Sequence, residues 1–151
     1  MKVNQSSAKG INLIKKYEGL SLKPYKCPAG IPTIGYGATY YASGIKVKLT
    51  DKPITEHQAS VMLIMMLKHY EIAVDSYTRD DITQGQFDAL VSFAYNCGLG
   101  NLKSSTLLKK VNANPNDPTI RQEFLKWNKG GGKVLAGLTK RRTEEADLYE
   151  S

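Results

Sequence analysis

The sequence has few residues of the kinds that bind metals or form disulfides. Its two cysteines, Cys27 and Cys97, are far apart in the chain and lack metal-ligand spacing. One pair in a chain of 151 residues is no disulfide framework, so we expect reduced thiols. The two histidines, His57 and His69, are twelve residues apart and have no clustered third ligand. The sequence therefore predicts no metal site.

Long apolar segments are also missing. The first ten residues, MKVNQSSAKG, contain no apolar run, so we expect neither a secretory signal nor a signal anchor. The longest apolar run, residues 61–67 (VMLIMML), is far shorter than the ~20 residues that span a bilayer. We interpret this run as the core of a helix. We expect the protein to be made soluble and to stay in the cytosol unless something else lets it out.

Acidic residues are outnumbered by basic ones, 14 to 21, which gives a net charge of +7. Such a surface favours polyanions, namely nucleic acid, an anionic membrane or an acidic wall polymer. The basic residues are spread along the chain in short clusters such as Lys140-Arg141-Arg142. Arg141 and Arg142 either face acidic groups of a wall or lie on a solvated helix face. The charge thus indicates a polyanionic partner but says nothing about a catalytic reaction.

The N-terminal third of the chain changes from helix to strand. Ser6 or Ser7 can cap a first helix, and Gly19 predicts its end at about Glu18. Prolines and a glycine between positions 24 and 32 exclude a helix there. Residues 33–37 (TIGYG) and the alternating residues 45–49 (IKVKL) predict two strands, joined by a turn at 40–44.

The rest of the chain is predicted to be helical. This gives an α+β architecture in one domain, with a sheet lobe over about residues 19–54 and a helical lobe over about 55–151 plus the first helix. The cleft between the lobes is where we expect a site. The signals for helix ends are capping boxes at 55–58 and 83–86, Gly98, a cap at Ser104 or Ser105, Asp117-Pro118, a break at 130–132 and a last helix over 138–148.

Glu18 is the first candidate catalytic residue. A carboxylate at a helix C-terminus faces the negative end of the macrodipole, which costs about 0.3–1 kcal/mol and disfavours the anion. Partial burial in a cleft acts in the same direction. A glutamic acid that stays protonated is what a glycosidase needs to protonate a leaving oxygen. The alternative is an ordinary surface glutamate at a frayed helix end.

The residues around Glu18 form a specific pattern. Glu18, Cys27 and Thr33 have the spacing E-x8-C-x5-T, within YEGLSLKPYKC and PTIGYG. This pattern resembles the active-site signature of the phage-type lysozymes, the endolysins related to T4 lysozyme. The resemblance covers roughly residues 7–149. It continues in residues 86–98 (QFDALVSFAYNCG), 101–108 (NLKSSTLL) and 131–138 (GGKVLAGL), and in Arg141, Arg142 and Glu145.

The resemblance implies a lysozyme-like fold and a role for each residue of the pattern. Glu18 is the general acid, and Cys27, where many members have an aspartate, acts with Thr33 on a water molecule. An unperturbed thiol has a pKa of about 8.5, so only a few per cent is thiolate at neutral pH. Lys26 or another positive charge could lower this value. Whether the thiolate is the formal base stays open, and a small buried hydrophobe is the alternative reading of Cys27.

Three further residues are candidates for binding substrate. Tyr36 and Tyr95 can stack on sugar rings, and Ser105 matches a sugar-binding position of the resemblance. Core packing of the two tyrosines and helix capping by Ser105 are the alternatives. Cys97 has no catalytic context, and we assign it to the core.

The implied function is that of a phage muramidase that cuts peptidoglycan between N-acetylmuramic acid and N-acetylglucosamine, with inversion and without a cofactor. The implied partner is a holin-type membrane permeabiliser that releases the enzyme to the periplasm, and we expect a monomer that binds no nucleic acid. One alternative is a lytic transglycosylase, which forms an anhydro sugar without water. The other is a non-catalytic wall-binding or nucleic-acid-binding domain on the same fold.

Overall fold

The computed structural model describes residues 2–151, which form a mostly helical chain with a small antiparallel hairpin near the N-terminus. This is the predicted α+β class. The described residues divide into two compact units, one formed by Lys15–His69 and the other by the remainder of the described chain. In chain order the elements are α1 (Ala8–Glu18), β1 (Ser21–Lys26), β2 (Pro32–Gly35), α2 (Glu56–Tyr77), α3 (Gln84–Cys97), α4 (Leu99–Ser104), α5 (Thr106–Ala113), α6 (Ile120–Leu125), β3 (Lys129–Gly130), β4 (Lys133–Val134) and α7 (Ala136–Glu150).

The sheet of the first unit differs from the prediction. The strand β2 pairs with β1, in a register that places Tyr25 opposite Thr33. The predicted strand at 45–49 is wrong, because this segment makes only an isolated bridge between Tyr40 and Lys46. Its alternation does not mark a buried face, since Val47 is buried while Ile45 is 63% exposed.

The helix α2 begins as predicted. Thr55 and Gln58 form the capping box, with the Thr55 N–H donating to Gln58 Oε1 at 2.8 Å and the Gln58 N–H donating to Thr55 Oγ1 at 3.1 Å. The apolar run 61–67 is only partly core, because Met62, Leu63 and Leu67 are buried but Val61, Ile64 and Met65 are exposed. Among residues 2–151, no helix combines the length and apolar character needed to cross a membrane.

A long-range contact fixes the start of α1 in the second unit. Asp88 on α3 accepts hydrogen bonds from the Ser7 N–H at 2.9 Å and from the Ser7 hydroxyl. The Ser6 N–H donates to Glu71 at 2.7 Å. Ser6 or Ser7 was predicted to cap α1. Instead, carboxylates on distant helices accept hydrogen bonds from the backbone N–H groups of both serines.

Helix α3 forms the centre of the second unit. Its capping box of Thr83 and Gln86 is confirmed, and Gly98 ends the helix with a φ of 97°. The ring of Phe93 packs at 5.9 Å from Phe124 and at 5.4 Å from Trp127, measured between centroids. Two elements were not predicted. One is α4, which follows Gly98 directly, and the other is the small hairpin β3–β4 around the glycines at 130–132.

The interpretation of Arg141 and Arg142 as wall-facing or solvated residues is wrong. Both side chains are buried, at 3% and 0% exposure, in contact with the fully buried Glu145. The Arg142 Nε lies 2.8 Å from Glu145 Oε1, and the Glu145 carboxylate also accepts a hydrogen bond from the Ser92 hydroxyl. A buried ion cluster joins α7 to α3, because the two arginines and the serine surround the fully buried Glu145 carboxylate and offset the cost of its burial.

Candidate active site

Glu18 lies where the sequence places it, at the last residue of α1. The helix ends because Gly19 adopts a φ of 71°, a conformation that glycine reaches at no steric cost. The Gly19 N–H donates to Lys15 O at 3.1 Å and completes the last turn. The Glu18 side chain is half-buried.

Cys27 and Thr33 lie on either side of the turn between β1 and β2. Both donate hydrogen bonds to the same carbonyl oxygen, that of Ile31: the Cys27 N–H at 3.0 Å and the Thr33 hydroxyl at 2.9 Å. The Gly30 N–H donates to Cys27 O at 2.7 Å and closes the turn. Thr33 is buried and Cys27 is half-buried, so the hairpin brings these two predicted residues together in a fixed geometry.

The turn lowers the pKa of the Cys27 thiol below its ordinary value. The backbone N–H of Ile31 makes the largest contribution, burial opposes it, and the Ala29 N–H and the Thr33 side chain add to it. N–H groups that point at a sulfur favour the thiolate because they stabilise negative charge. The sequence suggested Lys26 as the cause, whereas the structure assigns the effect to the backbone of the turn.

Cys97 differs from Cys27 in its neighbours and in the direction of its pKa shift. Its thiol is half-buried beside the Arg142 guanidinium, and burial raises its pKa despite that positive charge. The core assignment is therefore only partly correct. The two thiols have opposite pKa directions within one chain.

The three candidate substrate-binding residues have unequal access to solvent. Tyr36 follows β2 and is buried, whereas Tyr95 is half-buried with its ring 5.2 Å from that of Tyr70. Ser105 is buried and caps α5, accepting from the Leu108 N–H at 3.0 Å. The capping alternative thus describes Ser105 in this structure. Direct contact of the three residues with a sugar stays a prediction.

A cavity of about 350 Å³ in the second unit was missed by the sequence analysis. One wall is the indole of Trp127, which is half-buried and packs edge-on against Phe93. Amides and lysines provide polar groups around it. The signal in the sequence was the single tryptophan, an aromatic surface of the kind that sugar sites use. The cavity is lined by Asn96, Cys97, Asn101, Lys126, Trp127, Lys129 and Leu138.

Comparisons with known proteins show the family and the fold. The sequence model of the Phage lysozyme family matches residues 15–145. The chain is 49% identical over 148 residues to an endolysin of Bacillus phage B103, covering 95% of this chain and 53% of that protein. It superimposes with a TM-score of 0.88 on an endolysin from Escherichia coli O157:H7 phage FAHEc1, at 38% identity, covering 99% of this chain and 96% of the other. A P22 lysozyme variant gives the same TM-score at 35% identity, covering 99% and 100%.

The fold, the hairpin with its fixed cysteine and threonine, and these similarities together define a lysozyme-like protein of phage type. The chain belongs to the phage lysozyme family. It spans about half the length of the Bacillus phage endolysins that it matches.

Proposed function

We propose that this chain is the catalytic domain of a phage endolysin, a muramidase that hydrolyses the β-1,4 bond between N-acetylmuramic acid and N-acetylglucosamine in peptidoglycan. The observation that carries the proposal is the hairpin turn, which fixes Cys27 and Thr33 on one carbonyl oxygen and favours the Cys27 thiolate. A residue that served only to fill the core would need no such stabilisation of negative charge.

In the proposed reaction Glu18 donates a proton to the glycosidic oxygen as the bond to the anomeric carbon breaks. A water molecule attacks that carbon from the opposite face of the ring, and its proton passes to the Cys27 thiolate. The Thr33 hydroxyl supports the thiolate and the position of the water. This geometry inverts the configuration of the sugar and requires room for water between acid and base.

We propose that the cavity beside Trp127 binds part of the wall polymer. Aromatic faces suit the apolar faces of sugars, the amides of Asn96 and Asn101 suit hydroxyl and acetamido groups, and the Lys129 ammonium suits a carboxylate of the wall peptide. Tyr95 is proposed as a second aromatic contact. Tyr36 and Ser105 are proposed as further sugar contacts.

The products of digestion distinguish the proposed reaction from its alternatives. Hydrolysis of purified peptidoglycan adds one water per bond and leaves a reducing N-acetylmuramic acid, which mass spectrometry detects. A lytic transglycosylase leaves the anhydro form, lighter by one water, and that result would overturn the proposal. A non-catalytic binding domain, the alternative from another class, releases neither product.

The place of action is part of the same proposal. The enzyme reaches peptidoglycan after a holin-type protein permeabilises the host membrane, and it acts there as a monomer. Lysis of host cells that express the chain should therefore require co-expression of a membrane permeabiliser.

A further inference from the structure

Lys15 connects three elements of the unit 15–69. It lies one helical turn before Glu18, and its Nζ donates to the Ser60 hydroxyl on α2 at 2.9 Å. The same ammonium lies 5.4 Å from the centroid of the Tyr36 ring, within the range of a cation–π contact. Lys15 is half-buried and Tyr36 is buried. The amine is therefore held by two partners, whereas most lysines of this unit are exposed.

The end of β2 lies close to the same part of α2. Gly35 has a φ of 68°, and a side chain at this position would lie 3.5 Å from the Ala59 Cβ. Ala59 precedes Ser60, and Gly35 precedes Tyr36. The Gly35 backbone thus lies close to Ala59 on α2, and Lys15 joins the last turn of α1 to this junction by contacting the neighbouring residues Ser60 and Tyr36.

We propose that Lys15 is a positioning residue for the active site. By binding Ser60 and Tyr36, it sets the last turn of α1, which ends in Glu18, relative to the strand that carries Thr33 three residues before Tyr36. Lys15 does not touch the substrate. The inference rests on the proposed function, because it assigns a role in placing the acid and the water-binding residues of that reaction.

The test is the steady-state turnover of peptidoglycan by Lys15→Met, which keeps the length of the side chain but removes its charge. The rate is expressed per folded molecule, with the folded fraction measured by circular dichroism at the assay temperature. We expect kcat to fall by about 10- to 100-fold, since small displacements of catalytic groups have effects of this size. We expect KM to change little, because the substrate contacts remain. Lys15→Arg should recover most of the loss.

Lys9→Met is the matched control, because Lys9 is an exposed lysine on the same helix and the change in net charge is identical. Ser60→Ala removes the acceptor but keeps the lysine, and it should lower kcat by a smaller factor even if Lys15→Met does not fold. A kcat per folded molecule of Lys15→Met equal to that of Lys9→Met would overturn the inference, as would an unchanged kcat of Ser60→Ala. If Glu18→Gln is inactive in the same assays, the proposed function survives that failure. If the wild type yields no reducing sugar, both fail.

Discussion

The resemblance to phage-type lysozymes implies a position for Cys27 at which many members have an aspartate, so the charge of the thiol decides how far it can replace a carboxylate. An aspartate is ionised at neutral pH without help, whereas a thiol with a pKa of about 8.5 is not. The turn compensates by directing the N–H groups of Ile31 and Ala29 toward the sulfur. The backbone of the hairpin thus supplies the stabilisation that an aspartate would not need.

The two cysteines give a direct measurement of this effect. We expect iodoacetamide to modify Cys27 faster than Cys97 at pH 7, because the pKa of Cys27 is lowered and that of Cys97 is raised. Peptide mass mapping of partly modified protein gives both rates as a function of pH. Thr33→Val should move the Cys27 profile to higher pH and leave Cys97 unchanged. Faster modification of Cys97 would contradict the proposed stabilisation.

Among the elements, α1 and α3 approach each other closely at Gly10, near the start of α1. A Cβ added at Gly10 would lie 2.7 Å from Asp88 Cγ, and Asp88 cannot withdraw without releasing Ser7 and the Gln84 amide. We expect Gly10→Ala to lower the free energy of unfolding by about 1–3 kcal/mol, measured by urea denaturation.

Gly100→Ala is the control for this prediction, because a Cβ at Gly100 in α4 would meet no atom within 4 Å. Alanine is the better helix former, so this substitution should raise the free energy of unfolding by about 0.5–1 kcal/mol. If both substitutions changed stability alike, the close contact with Asp88 would not be the cause.

The pairing of α7 with α3 depends on a buried charge pair. Arg142→Met removes the strongest partner of the fully buried Glu145, and loss of one member of a buried ion pair costs about 3–5 kcal/mol. Arg121→Met removes an ion pair of the same type on the surface, with Asp147 and Glu150, and should cost at most about 1 kcal/mol. Urea denaturation of the two variants compares the pairs directly. Equal costs would mean that burial of Glu145 contributes nothing.

Elements with local signals could be predicted from the sequence, and those with non-local partners could not. Gly19 and the capping boxes at 55–58 and 83–86 depend on residues at most three positions apart, and the structure confirms all three. The prediction of a strand at 45–49 was wrong because an alternating pattern does not show whether another strand is available to pair with it. The burial of Arg142 could not be predicted for a similar reason, because its surroundings include Ser92 and Phe93 from a helix about 50 residues earlier.

The same difference between local and non-local signals applies to the candidate site. The spacing of Glu18, Cys27 and Thr33 was readable because these residues lie within one hairpin and the helix before it. The cavity beside Trp127 was not, because its lining comes from three separate segments of the chain. The local pattern therefore predicts the candidate catalytic residues, whereas the cavity is seen only in the tertiary fold.

For the whole molecule, the positive charge is distributed unevenly. The unit 15–69 contains eight lysines and three acidic residues, so it carries a net +5 of the total +7. Lys46, Lys48 and Lys52 in this unit are exposed. We expect wall turnover to fall several-fold between about 50 mM and about 300 mM salt, because added ions screen attraction to an anionic wall.

The triple variant Lys46→Gln/Lys48→Gln/Lys52→Gln should be slower at low salt and less sensitive to salt than the wild type. The matched control is the triple variant at Lys9, Lys109 and Lys140, exposed lysines of the other unit, which changes the net charge equally. An identical salt profile for the two triple variants would show that only total charge matters.

The central claim is that Glu18 is the acid and Cys27 the residue that acts on water. The most direct test is turnover of purified peptidoglycan under reducing conditions by the wild type, Glu18→Gln, Cys27→Ser and Cys27→Asp. We expect an active wild type, a loss on the order of 10²–10⁴-fold in folded Glu18→Gln, a weakened Cys27→Ser and an active Cys27→Asp. Wild-type activity in Glu18→Gln would contradict the account, as would a wild type that releases no product.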